Sequence, residues 1–208
     1  MRAWEIALKR LLDVAVSAVA LLVLTPLLLV VALLVRITSS GSVLFRQGRL
    51  GRRGVPFTIY KFRTMMTDSP DIRNEDGSAF SGENDPRVTR VGRILRKTSF
   101  DELPQLVNVL QGKMSLVGPR PDPLDVEKIY RPQDFQRLSV KPGLTGWAQV
   151  HGRNSISWEQ RRDLDLEYVH RQCLWLDLWI LVATVPFVLR GSGILQKRSG
   201  SQDTGYVG

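Results

Sequence analysis

"KRLLDVAVSAVALLVLTPLLLVVALLVR", residues 9–36, decides how the rest of the chain is read. Between Val14 and Val35 it carries no charge, and its only polar side chains are Ser17 and Thr25. About 20 apolar residues are enough for a helix to cross a bilayer. A cleaved signal peptide fits poorly, because the run is too long and no A-x-A-like site follows it. A buried globular helix is the competing reading. Two features separate this segment from a straight span. Pro26 sits mid-run, where it removes one backbone hydrogen bond and crowds the preceding turn, and Thr25 beside it can re-satisfy a freed carbonyl. Arg2, Lys9 and Arg10 flank one end; Arg36, Arg46, Arg49, Arg52 and Arg53 flank the other. Lys and Arg favour the cytoplasmic side, so both flanks are satisfied only if the segment enters and leaves by one face. The expectation is a helix-break-helix over residues 1–37 that turns at Thr25-Pro26, and Pro26→Ala is expected to straighten it toward a span.

Outward from this segment, the chain of 208 residues allows one domain plus a membrane element, with enough length to bury a core. The net charge of +9 favours anionic partners: nucleic acid, acidic inner-leaflet lipid or phosphorylated small molecules. Cys173 is the only cysteine, which excludes an intrachain disulfide. Residues 43–45 and 57–62 read as short strands around "QGRLGRRG". That basic loop suits lipid headgroups, a nucleotide or plain solvent. Residues 67–86 form a polar loop, either a lid or disordered. Val88, Val91, Ile94 and Leu95 have helical spacing, with Arg and Lys on the other face. Ser157 and Gln160 form a capping box for a polar helix. The apolar stretch 173–190 follows, with Trp175 and Trp179 one turn apart, as on an interfacial helix or a core helix. Residues 191–208 read as a mobile polar tail. The fold class is α+β: a membrane element, a catalytic domain over 38–190 with a small hairpin, and the tail.

"TSFDELPQL", residues 98–106, sets Asp101 and Glu102 just ahead of Pro104. Ser99 and Glu102 fit a capping box, although Pro104 then crowds the first turn. Asp101 as the cap is sterically easier. Either frame puts both carboxylates at the N-terminus of a helix that ends before Gly112, where the dipole favours their ionised form. Ionised carboxylates bind Mg²⁺ and attack phosphorus. Arg93, Arg96 and Lys97 lie close in sequence, and a diphosphate substrate requires such cations to offset its charge. Asp163, Asp165 and Glu167 form a second carboxylate cluster, read as the solvated face of a charged helix. "SLVGPRPD" and "VKPGLTGWAQVHGRN" read as turns, either structural or cradling a ligand.

"YKFRTM", "NDPRVTRVGRILRKTSFDELPQLVNVLQGKMSLVGPRP" and "VKPGLTGWAQVHGRN", following a hydrophobic segment with Thr25-Pro26, resemble the monotopic phosphoglycosyl transferases, the bacterial sugar transferase family. The resemblance runs from about residue 9 to about residue 189, in the same order, and covers the minimal catalytic unit. Thr25-Pro26 stands where Ser-Pro is also seen. The resemblance implies transfer of a sugar 1-phosphate from a UDP-sugar to polyprenyl phosphate, with UMP leaving, at the cytoplasmic face of the bacterial inner membrane. By the same resemblance, Asp101 is the nucleophile, forms a covalent phosphosugar intermediate and binds Mg²⁺, while Glu102 assists. Arg96 and Arg153 match phosphate-contacting arginines. Pro119, Arg120 and Pro121 match a turn near the nucleotide, and the hydrophobic segment matches a re-entrant helix. A homodimer is left open. Two other classes compete: a nucleotide-sugar hydrolase, and a basic membrane-anchored scaffold without an active site. Nucleic acid is not expected as a partner, because the positive charge clusters beside a lipid-seeking element and no binding motif occurs.

Overall fold

Helix α1 (Ala3–Thr38) runs unbroken through Pro26. The computed structural model describes residues 1–70, 72, 85–152 and 156–190, the last four as backbone only. The expected break at Thr25-Pro26 is therefore not a gap in the helix. A proline costs a helix one hydrogen bond and some crowding, which a helix of 36 residues absorbs. The Thr25 hydroxyl donates to the Leu21 carbonyl at 2.6 Å.

One side of α1 is apolar and exposed, as at Leu22, Val23, Leu29 and Leu33. The other side docks on the globular body at points between Lys9 and Val35. In the first half, Arg10 donates to the Val109 and Leu110 carbonyls at 2.6 and 2.9 Å. The buried Asp13 carboxylate accepts from Ser115 Oγ at 3.1 Å and from the Leu116 N–H at 2.9 Å. In the second half, Val31 and Val35 are buried with Phe62 and Leu95.

Strands β1 (Leu44–Leu50) and β2 (Pro56–Phe62) form an antiparallel hairpin with Leu44 opposite Phe62. The hairpin turns through Arg52–Gly54, with Arg53 left-handed. The strand thus takes in half of the basic segment expected as a loop. Along β2, Phe57 and Ile59 bury into the main core with Leu106, Val109, Met114 and Tyr168. Lys61 follows at the same alternation and reaches the rim of that core.

Helix α2 (Arg90–Thr98) is capped by Thr89, whose side chain accepts from Gly92 N. It packs tightly, since a Cβ on Gly92 would lie 2.0 Å from the Thr64 carbonyl oxygen. Leu95 is buried, whereas Ile94 is exposed. Helix α3 (Gln105–Leu110) restarts beyond Pro104 and ends before Gly112, as the sequence implies.

The two Gly/Pro-rich segments read as turns hold a parallel pair, β3 (Ser115–Val117) and β4 (Gly143–Thr145). Their glycines serve close backbone approach: a Cβ on Gly143 would sit 2.1 Å from Gly118 N. Helix α4 (Trp147–Val150) leads to α5 (Trp158–Arg171), which begins with the expected Ser157–Gln160 capping box, and then to α6 (Leu174–Arg190). On α6, Ile180 is buried, while Trp175, Trp179, Val182 and Val185 are exposed along one side. Lys9 of α1 reaches across to Asp177 at 2.7 Å, and Tyr168 donates to the other Asp177 oxygen at 2.7 Å.

Candidate active site

Ser99, at φ 60°, ends α2 in the left-handed region and turns the chain into a 3₁₀ turn, Phe100–Glu102. Asp101 and Glu102 sit in this turn. Neither caps α3, whose N-cap is Pro104. The expectation that a helix terminus ionises both carboxylates is corrected accordingly: their surroundings, not a shared dipole, set them apart.

Glu102 accepts from Lys61 Nζ at 2.8 Å and from Arg120 Nη2 at 2.7 Å through Oε1, and from Arg120 Nη1 at 3.3 Å through Oε2. Burial works to raise the Glu102 carboxyl, but Arg120 and then Lys61 overcome it and hold it well below the usual range. Asp101 makes no hydrogen bond or ion pair among the described residues. Burial, then the charge of Glu102, pushes its carboxyl up to about 6. Lys61, Arg96 and Arg120 all act on Asp101 electrostatically. Arg96 is set by a bond from its Nε to Thr64 Oγ1 at 2.9 Å. Arg49 completes the cationic side, lowered to about 10 by burial and then by its neighbour Arg120.

The segment carrying Arg120 is held at four successive carbonyls. The Pro119 oxygen accepts from Gly143 N at 2.8 Å, and the Asp122 oxygen accepts from Leu50 N at 2.9 Å. The Pro121 oxygen accepts from Arg49 at 3.1 Å, and the Arg120 oxygen accepts from Arg137 at 3.4 Å. Pro119 and Pro121 are buried, and the Arg120 side chain is 38% exposed. Asn108 ties α3 to the hairpin: its amide donates to the Thr58 carbonyl at 2.8 Å and its oxygen accepts from Tyr60 N at 3.2 Å. This brings Lys61 to Glu102 across 41 positions of sequence.

The structure therefore brings Arg96, Asp101, Glu102 and Arg120 together. Arg153 lies outside the described residues, as do most of the 67–86 loop and the 191–208 tail. Neither Lys61 nor Arg49 reads as a site residue in the sequence, where Arg49 is only part of the basic flank. The available signal for Lys61 was its place in the alternation Phe57, Ile59, Lys61. The second carboxylate cluster is a solvated face only in part. Asp163 is exposed and pairs with Arg131 at 2.7 Å, but Asp165 is fully buried against Arg137 at 2.6 Å. Glu167 accepts from Trp147 Nε1 at 3.0 Å.

Both Glu102 oxygens are occupied, which leaves Asp101 as the available carboxylate. Mg²⁺ is commonly held by one or two carboxylates together with substrate phosphates and waters. Asp101 with a diphosphate ligand fits that pattern. No cluster of three or more His, Cys, Asp or Glu suited to an all-protein metal site occurs among the described residues.

A family model described as bacterial sugar transferase matches residues 4–191. The chain is 46% identical over 189 residues to the uncharacterized sugar transferase EpsL of Bacillus subtilis (strain 168), covering 91% of each. It is 46% identical over 191 residues to a UDP-glucose:undecaprenyl-phosphate glucose-1-phosphate transferase of Caulobacter vibrioides, covering 87% of this chain and 69% of that one. It is 42% identical over 186 residues to the Escherichia coli (strain K12) protein of the same description, covering 86% of this chain but only 39% of that longer one.

Proposed function

The chain belongs to the bacterial sugar transferase family, and on that premise we propose that it transfers a sugar 1-phosphate from a UDP-sugar to polyprenyl phosphate and releases UMP. The observation that carries this reading is the meeting of Lys61, Arg96 and Arg120 on two adjacent carboxylates, one of which is left unpaired. That surplus of positive charge suits a diphosphate, and the unpaired carboxylate suits attack on it. Asp101 attacks the phosphorus that bears the sugar. The bond from that phosphorus to the UMP oxygen breaks, and UMP leaves. A phosphate oxygen of the polyprenyl phosphate then attacks the same phosphorus, breaks its bond to Asp101 and restores the carboxylate.

Glu102 stays ionised and fixes Lys61 and Arg120 where charge accumulates on the phosphate oxygens. Arg96 and Arg153 contact phosphate, and the Pro119–Pro121 segment faces the nucleotide. Asp101 also holds Mg²⁺, which offsets the diphosphate's charge when bound.

The catalytic body sits at the cytoplasmic face of the inner membrane, and both ends of α1 stay on that face. Support for this path is the docking of α1 on the body from Lys9 to Val35, about 39 Å along a helix, with its exposed apolar side turned away. A helix committed to one body along that length leaves no free stretch to cross a hydrocarbon core of roughly 30 Å. The exposed Trp175 and Trp179 of α6 are of the type enriched at membrane–water interfaces.

The test is UMP release from a panel of UDP-sugars by the chain in nanodiscs, with and without polyprenyl phosphate. Release that requires the lipid and stops on exhaustive chelation is expected. Release independent of lipid means a nucleotide-sugar hydrolase; full activity after chelation removes Mg²⁺ from the reading; no release with any donor leaves a scaffold.

A further inference from the structure

Beneath Arg120 lies a buried charge network that the proposed reaction does not use. Arg137, on the 3₁₀ segment Pro132–Ser139, has a side chain only 2% exposed. Its guanidinium donates to Asp165 Oδ2 through Nη2 at 2.6 Å and Nε at 3.1 Å, and it pairs with Asp122 through Nη1. It also meets the Tyr130 hydroxyl at 3.1 Å, which itself donates to Asp122 at 2.5 Å. The remaining contact is to the Arg120 carbonyl oxygen.

A buried ion network is seldom more stable than well-packed apolar residues of the same volume. Here the arrangement is costly as well, since Asp165 Oδ1 is buried without a hydrogen-bond partner. Stability is thus a weak account of this network. Its geometry offers a better one, because its centre touches the backbone of Arg120 and the side chain of Asp122, two residues apart on the segment that carries the cation of Glu102.

We propose that Arg137 is a positioning residue for the transfer reaction, holding the backbone at Arg120 and Asp122 so that the Arg120 guanidinium stays on Glu102 and faces the reacting phosphate. This rests on the sugar-phosphate transferase reading of the site. Arg137 touches no reacting atom. Asp165 is its counter-ion from α5, and Tyr130 fixes the shared Asp122 oxygen.

The experiment separates folding from positioning. Arg137→Gln alone leaves both Asp165 and Asp122 without their cation and should lower the thermal midpoint by roughly 10 °C. Asp165→Asn in the same chain removes one of the two stranded charges, while Asp122 keeps its bond from Tyr130, and should recover about half of that loss. Under the proposal, kcat does not recover with it and stays down at least about tenfold, while KM for the UDP-sugar changes less than about threefold. Arg137→Lys keeps a cation between the two acids but not the fork that also reaches the Arg120 carbonyl. It should show the same kcat loss near the parent midpoint, and it carries the test if the double variant does not fold. Recovery of kcat together with the midpoint, or an unchanged kcat in Arg137→Lys, makes Arg137 purely structural and overturns the proposal. Failure of the transferase reading itself is seen separately, as absence of lipid-dependent UMP release in the parent chain.

Discussion

Glu102 takes both cations that hydrogen-bond into the 100–102 turn, Lys61 at 2.8 Å and Arg120 at 2.7 Å, and its chain neighbour Asp101 takes neither. The two acids are thereby given different work: one anchors the cations and the other remains free to react. Asp101→Asn keeps the shape of the turn and removes the proposed nucleophile. A loss of at least about 10³-fold in lipid-dependent UMP release is expected. The parent chain, given sugar-labelled UDP-sugar without lipid acceptor, should retain label on the protein. Near-normal turnover of the variant would exclude Asp101 as nucleophile.

The same asymmetry sets the acid limb of the reaction. As the proposed nucleophile, Asp101, pushed up to about 6 by burial and then by Glu102, must be ionised to attack. Below that pH the protonated form dominates, so kcat/KM of the free enzyme should fall about tenfold per pH unit. Glu102 lies well below this window and adds no limb to it. A profile flat down to pH 4.5 would contradict this assignment.

Lys61 is expected to act on charge development. Burial, followed by Arg120 after the opposing pull of Glu102, lowers its ammonium from the ordinary lysine value. Lys61→Gln removes one preorganised donor and should cost about 10²-fold in kcat. Lys61→Arg should recover part of that loss. An effect confined to the thermal midpoint, with kcat unchanged, would make Lys61 structural.

The path of α1 is open to chemical labelling. A single cysteine at Ala3, with Cys173 replaced, should be protected from a membrane-impermeant maleimide in intact cells and react once they are permeabilised. Pro26→Ala should leave that protection in place, contrary to what the sequence suggests. Restoring one backbone hydrogen bond contributes about 0.5–1.5 kcal/mol. Crossing the bilayer would strip Asp177 of its Lys9 partner, at about 3–5 kcal/mol for breaking a buried pair. Labelling of the parent from outside would show a straight span.

The parts of this fold legible in the sequence are those whose signal is local. The apolar run of α1, the Ser157 cap of α5, the end of α3 at Gly112 and the Asp101-Glu102 pair each announce themselves within a few residues. The parts that stay hidden depend on distant partners. Lys61 reads as a strand residue until Asn108 fastens α3 to β2 and brings Glu102 alongside. Asp165 reads as solvated, because two-residue alternation on a helix says nothing of an arginine 28 positions away. Gly118 and Gly143 read as turn formers, whereas here they let two backbones touch. Nothing local marks Asp13, at the edge of the apolar run, as an internal acceptor for β3.

Because α1 lends Asp13 and Ser17 to the interior on one side of Pro26 and Val31 and Val35 on the other, the hydrophobic segment is not a detachable anchor. Cutting the chain after Thr38 would unroof both hydrophobic clusters and strand the Ser115 hydroxyl and Leu116 N–H without their acceptor. A water-soluble form of this fold is not reached by cutting α1 away; it has to keep the helix and disguise its outer side instead.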